Sequence, residues 1–188
     1  MAAQSICDRF SLLGEQGATL KSLYGIHPSR PSSCRTGALD LLTDVRFTLP
    51  TETLVQHWRS NSNSNGKERK VFRYLLDEPN PWQPSARAHH TVDLALLFNN
   101  YDLSFSPSAR RVAAEMGRRW ILFVAGREPW DAGLYFAFGP LGWSMEIDGE
   151  GFAARRRGRH VDAIKKVGTE RVDEVWMALA RGNISLYN

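Results

Sequence analysis

The clearest pattern of apolar and polar positions in the sequence is a helical one that begins at Ser106. Serine is a favoured N-cap and Pro107 suits the first helical position, so the pair predicts a helix start. Apolar residues then recur at three- and four-residue steps to about Ala125, and Gly126 with Pro129 ends the pattern. The apolar stripe consists of Val112, Met116, Trp120 and either Phe123 or Val124.

Shorter patterns predict further helices and a few strands. Helical spacing of apolar residues is found at 18–24, 38–47, 92–98 and 172–180, and from Pro50 onward with Leu54, Val55 and Trp58 as the apolar face. The 92–98 helix has little polar face, so we expect it to be well buried. Residues 71–76 have strand composition, and glycines break 134–147 into short extended pieces. Residues 25–37 and 61–70 are predicted loops. Helices that alternate with a few strands predict an α/β fold.

Size and composition indicate one globular domain. The chain has 188 residues, of which 43% are hydrophobic and 23% charged, which is ordinary for a soluble protein. We expect a single domain over residues 1–188, with residues 1–17 as a disordered lead-in. No signal peptide and no apolar run of membrane-spanning length is recognised, so the default location is cytoplasmic.

The net charge of +4 is mild, and much of it lies in the basic run at residues 155–160. We interpret this run as a solvated turn. The alternative is a nucleic-acid site. Such a site needs a wider basic face with interleaved aromatic residues, and the sequence shows no such face. We therefore expect no nucleic-acid partner.

The two cysteines, Cys7 and Cys34, match no metal-ligand spacing. They could form one disulfide, and the sequence leaves their pairing open. Two cysteines are too few to indicate an oxidising compartment. The sequence suggests no cofactor.

The candidate chemistry lies in residues 71–100. A predicted strand is followed by a loop with three prolines, then by His89 and His90, and then by the short apolar helix. Histidine is the side chain best suited to moving protons near neutral pH. The alternatives are a structural hydrogen-bonding histidine, or a metal site with Asp93, for which a third ligand at helical spacing is missing.

Several features of this region resemble the C-terminal portion of type-B carboxylesterases, the cholinesterase-like lipases and esterases. His90 is followed three residues on by Asp93 and then by an apolar run that ends at Phe98, a pattern from which His89 is displaced by one residue. An arginine-rich helix with Trp120 and Phe123 follows, and then Pro129-Trp130. The segments 42–50, 80–82 and 88–90 are also similar, the last two most closely to fungal members. The resemblance covers roughly residues 18–188.

The resemblance implies the C-terminal part of an α/β-hydrolase fold acting on a small-molecule ester. His90 would be the general base and acid of a Ser-His-Glu/Asp triad, with His89 as its neighbour. Asp93 would hold the loop or cap the helix. Trp82 would line an acyl or leaving-group pocket, or anchor the loop on the core.

Two members of the triad have no clear place in the sequence. No Gly-x-Ser-x-Gly elbow is found, because Ser144 is preceded by Gly142-Trp143 but followed by Met145-Glu146. Glu15 is the only candidate that we identify for the acidic member of the triad. We therefore expect an incomplete lobe that is inactive alone and that self-associates through an exposed sheet edge. The alternative is a non-catalytic, degenerate hydrolase lobe that acts as a protein-interaction module.

Overall fold

The computed structural model describes residues 3–60, 69–83, 88 and 91–181, with side chains described as far as residue 177. These residues fall into two compact units. Unit 1 combines residues 1–67 with 155–188, and unit 2 is the continuous segment 68–154. The expectation of one partial domain over residues 1–188 stays a prediction. The described helices and strands are, in chain order, α1 (Ala3–Ser11), α2 (Gly14–Leu23), α3 (Pro31–Thr43), a π-helical turn (Asp44–Thr48), α4 (Leu49–Ser60), β1 (Arg73–Leu76), α5 (Val92–Phe98), α6 (Pro107–Val124), β2 (Tyr135–Phe138), β3 (Ser144–Ile147), α7 (Gly149–Arg155), α8 (Gly158–Val167) and α9 (Thr169–Arg181).

Unit 1 is helical in its described part, and its core lies between α1, α2, α3, α8 and α9. Here the structure differs from the expected disordered lead-in at residues 1–17. Ala3, Ile6, Cys7 and Phe10 are all buried on α1. Their three- and four-residue spacing places them on one helical face, and that face packs into the core.

The segment 31–60 is helical from end to end. A loop was expected over residues 25–37, but α3 begins at Pro31 because proline suits the first turn of a helix. The π-helical turn then leads directly into α4, and Pro50 lies in the first turn of α4. The predicted apolar face of α4 is only partly correct, since Val55 is buried while Leu54 and Trp58 are exposed.

The basic run at residues 155–160 is not simply a solvated turn. It connects α7 to α8 through Arg157, which has left-handed backbone angles. The Arg157 guanidinium binds the Asp44 carboxylate, with Nη2 3.0 Å from Oδ1 and Nε 3.1 Å from Oδ2. Asp44 is fully buried, and a buried carboxylate needs such a partner. The solvated-turn interpretation is therefore wrong for Arg157.

Unit 2 contains a three-stranded sheet in the order β1-β2-β3. The strands β1 and β2 are parallel, and β2 and β3 are antiparallel. The predicted strand at 71–76 is confirmed from residue 73, and the extended pieces within 134–147 are β2 and β3. All four β2 residues are buried. This helix-rich chain with a small mixed sheet is compatible with a partial α/β fold.

The helices α5 and α6 pack against each other and cover part of the core of unit 2. The predicted boundaries of both are confirmed, and the Ser106 hydroxyl caps α6 by accepting from the Ala109 N–H. The faces are less well predicted. Leu94 and Phe98 of α5 are exposed, as are Phe123 and Val124 of α6. Within the described residues, no helix has the length and apolar character needed to cross a membrane.

Candidate functional site

The predicted histidine-bearing loop follows the carboxyl end of β1. Its first residues are fixed to the neighbouring strand, because the N–H groups of Asp77 and Glu78 donate to the Phe138 carbonyl of β2 at 2.7 and 3.2 Å. Ligands of α/β sheets bind beyond the carboxyl ends of parallel strands. His89 and His90 lie outside the described residues, and their roles stay predictions.

Asp93 lies in the first turn of α5, three residues after His90. Its Oδ2 accepts a hydrogen bond from the Tyr74 hydroxyl of β1 at 2.9 Å. Burial of the phenol raises the pKa of Tyr74, and the negative charge of Asp93 raises it further. The bond joins the strand before the predicted histidine loop to the helix after it. The role of Asp93 in holding the loop stays a prediction.

Trp82 is 43% exposed and lies at the far end of the described loop. Its ring is edge-on to Tyr101 with centroids 5.3 Å apart. Its backbone N–H donates to Asn80 Oδ1 at 2.9 Å, and Asn80 is itself buried. These contacts fit a loop anchor, and the exposed part of the ring is also available to line a pocket. The role of Trp82 stays a prediction.

Glu78 is a buried carboxylate that the sequence did not single out. It is 2% exposed, and its Oε2 accepts the Gly142 N–H of the β2–β3 turn at 2.9 Å. Gly139 has a φ of +91°, and a Cβ at that position would lie 2.3 Å from the Glu78 backbone nitrogen. Glu78 therefore fixes the turn against the start of the predicted histidine loop. The sequence shows only that Glu78 is an acidic residue shortly after a predicted strand. That position does not distinguish a buried carboxylate from a solvated one.

An open groove of about 890 Å³ lies between the 97–104 segment and α6. Its apolar lining includes Leu97, Tyr101 and Leu103 on one side, and Ala113, Gly117 and Ile121 on α6. Of the predicted site residues that the structure describes, neither Trp82 nor Asp93 lines this groove.

Glu15 and Ser144 are the other candidate positions that the sequence offered. Glu15 is exposed in the first turn of α2, which belongs to unit 1. Ser144 begins β3, an antiparallel strand, and so does not sit on a strand-to-helix turn like a nucleophile elbow. No group of three metal-ligating side chains occurs among the residues that the structure describes.

Comparisons with known proteins give one significant similarity. The chain is 32% identical over 115 residues to Lipase 3 of Yarrowia lipolytica, and this match covers 61% of the chain and 22% of Lipase 3. The chain thus spans about a fifth of the length of this relative. No family model matches, and no solved structure matches. The similarity supports a lipase- or esterase-like family at most.

Proposed function

We propose that this chain corresponds to the C-terminal part of a carboxylic ester hydrolase and carries the histidine of its Ser-His-Glu/Asp triad. The similarity to Lipase 3 is the observation that carries this proposal. The order of His90, Asp93 and Phe98 in the sequence supports the assignment of His90.

The proposed mechanism divides the triad between two parts of a longer protein. A serine in the N-terminal part attacks the ester carbonyl, and His90 accepts the serine proton. His90 then returns that proton to the leaving alcohol. A carboxylate in the N-terminal part orients the imidazole, and backbone N–H groups there bind the oxyanion. The substrate is a small-molecule ester.

The contacts around the loop support a positioning role for its surroundings. The Phe138 carbonyl and Glu78 fix the beginning of the loop and the adjacent turn. The bond between Tyr74 and Asp93 fixes the first turn of α5, which begins two residues after His90. A general base must be held in position, and these contacts fix described residues before and after the segment that contains His90.

Because the nucleophile is not identified in this sequence, we expect the purified chain to be inactive alone. The measurement is hydrolysis of a nitrophenyl ester relative to buffer. Clear turnover that His90→Ala abolishes would show that the chain contains its own nucleophile.

A chimera tests the assignment of His90 directly. The aligned segment of Lipase 3 is replaced by the matching segment of this chain, and ester hydrolysis is measured. We expect His90→Ala to abolish activity in the chimera, whereas His89→Ala, the adjacent matched control, retains most of it. Equal activity of both variants would reject His90 as the base.

A second function is a non-catalytic, degenerate lobe that binds a partner protein or a second copy. The observation in its favour is exposed apolar surface on unit 2, including Phe98 at 70% exposure and Trp143 at 74%. In the described sheet β1 and β3 are the two edge strands, and free edges promote self-association. Concentration-dependent sedimentation tests this function, and a monomer at every concentration rejects self-association.

A further inference from the structure

The two cysteines of unit 1 lie in its core on different helices. Cys7 is on α1 and Cys34 is on α3, and they are 4% and 0% exposed. Both are free thiols in this structure. The helix α2 lies between the two positions in sequence, so their proximity is a property of the fold.

One hydrogen bond places Cys34 beside the turn of α1 that carries Cys7. Cys34 Sγ donates to the Ala3 carbonyl at 3.7 Å. In an α-helix the carbonyl of residue 3 also accepts the N–H of residue 7, so Cys34 lies against the turn that carries Cys7. Cys7 is also, after desolvation, the next cause that raises the pKa of Cys34, as expected for neighbouring ionisable groups. Both cysteine side chains thus belong to the same buried cluster, between α1 and α3.

We propose that Cys7 and Cys34 form an intramolecular disulfide that joins α1 to α3 when the chain meets a thiol–disulfide oxidant such as glutathione disulfide. The Cys7 thiolate attacks one sulfur of glutathione disulfide, which releases one glutathione thiolate and leaves a mixed disulfide. The Cys34 thiolate then attacks the Cys7 sulfur and releases the second glutathione. The protein loses two electrons and two protons, and glutathione disulfide is reduced to two glutathione molecules.

Burial makes the reaction slow in the closed fold. Desolvation, followed by the charge of Cys7, raises the pKa of Cys34 to about 11, so the reactive thiolate is scarce near neutral pH. Both sulfur atoms are also shielded from a molecule as large as glutathione disulfide. Local opening of α1 would expose them, so the rate depends on that opening while the equilibrium depends on the native geometry.

The disulfide closes a loop that contains α2 and the beginning of α3. A closed loop lowers the conformational entropy of the unfolded chain and so stabilises the folded one. We expect the oxidised chain to melt roughly 5 to 10 °C above the reduced chain. A disulfide that stabilises the folded chain must, by thermodynamic linkage, form with a larger equilibrium constant in the folded chain than in the unfolded one.

The experiment uses the full chain in glutathione redox buffers, followed by acid quenching, alkylation in denaturant and mass spectrometry. We expect a product about 2 Da lighter than the reduced chain, with no glutathione adduct. Its formation constant in native buffer should exceed that in concentrated guanidinium chloride at least about tenfold. Free thiols or glutathione adducts alone at equilibrium would overturn the proposal, as would equal constants in the two solvents.

Two single variants provide the matched controls. Cys7→Ala and Cys34→Ala each leave one thiol and cannot lose the 2 Da. Both should melt at the same temperature in oxidising and reducing buffer, unlike the unsubstituted chain. A redox-dependent melting temperature that persists in either variant would show that this pair is not its source.

Discussion

Tyr74 on β1 donates a hydrogen bond to Asp93 at the start of α5, with the Oη and Oδ2 atoms 2.9 Å apart. We expect Tyr74→Phe to lower the free energy of unfolding by about 0.5 to 1.5 kcal/mol, since it removes one partly exposed hydrogen bond and keeps the ring. Urea unfolding measures this loss. Tyr101→Phe is the control, because the Tyr101 hydroxyl has no hydrogen-bond partner among the described residues. An equal loss in both variants would contradict a specific effect of the bond.

The same phenol predicts a loss of stability at alkaline pH. Burial and Asp93 raise the pKa of Tyr74, and burial and Asp44 raise the pKa of Tyr24. A pKa that is higher in the folded chain gives stability that is complete below the unfolded pKa of about 10 and is lost as pH rises above it. Unfolding free energies at pH about 8 and about 11 measure the loss. The double variant Tyr24→Phe/Tyr74→Phe should lose less stability over this interval than the unsubstituted chain does.

The buried carboxylate of Asp44 is the strongest candidate for a destabilising substitution in unit 1. Asp44 accepts hydrogen bonds from Arg157, from Tyr24 at 2.7 Å and from Thr48 at 3.2 Å. We expect Asp44→Ala to cost about 3 to 5 kcal/mol, since it leaves the Arg157 charge without its main partner.

Asp40 provides the matched control one helical turn earlier. Its carboxylate lies 3.5 Å from Arg157 and is 21% exposed, compared with full burial of Asp44. Asp40→Ala should therefore cost about 1 kcal/mol or less. Chemical unfolding of both variants measures the difference, and similar losses would show that burial of Asp44 is not decisive.

Two glycines of unit 2 should respond in opposite directions to alanine. Gly139→Ala combines a positive φ with a Cβ 2.3 Å from the Glu78 backbone nitrogen, so we expect a loss of at least about 2 kcal/mol. Gly117 lies within α6 with nothing within 4 Å of an added Cβ, so Gly117→Ala should gain about 0.5 to 1 kcal/mol. Thermal unfolding measures both changes. A stable Gly139→Ala protein would show that the turn relaxes readily.

The tip of the β2–β3 turn is a candidate contact for self-association. Leu141 and Trp143 are 70% and 74% exposed there, and Leu141 has a positive φ that asparagine tolerates. We expect Leu141→Asn/Trp143→Ser to weaken any self-association seen by sedimentation velocity. The unfolding free energy should change by less than about 0.5 kcal/mol, because both side chains are exposed. Unchanged association would place the contact elsewhere.

Local signals in the sequence predicted the strands of unit 2 and the helices α5 and α6, but not α7. The start of α6 follows from Ser106 and Pro107 and its end from Gly126, whereas α5 and β1 follow from their composition. The ion pair of Arg157 could not be predicted from the sequence, because its partner Asp44 is 113 positions away. The bond between Glu78 and Gly142 spans 64 positions. Side-chain periodicity describes one element at a time and carries no information on such pairs.

In the candidate site, too, the sequence predicted local positions but not contacts between distant residues. The helix predicted at 92–98 placed Asp93 in its first turn, as the structure has it. The sequence did not reveal that Tyr74 is its partner. Glu78 was missed because its burial depends on β2 and on the turn that follows β2, neither of which is adjacent in sequence.

Unit 2 is a continuous segment that interrupts unit 1 in sequence. During synthesis, every residue of unit 2 has been made once residue 154 is added, whereas the core of unit 1 still awaits α8 and α9. The parts of α1 and α2 that pack against α8 and α9 therefore stay uncovered while the whole of the inserted segment is translated. Such a delay exposes a nascent chain to aggregation and to binding by chaperones. A circular permutation that brings residues 155–181 before α1 would remove the delay without changing the composition of either core.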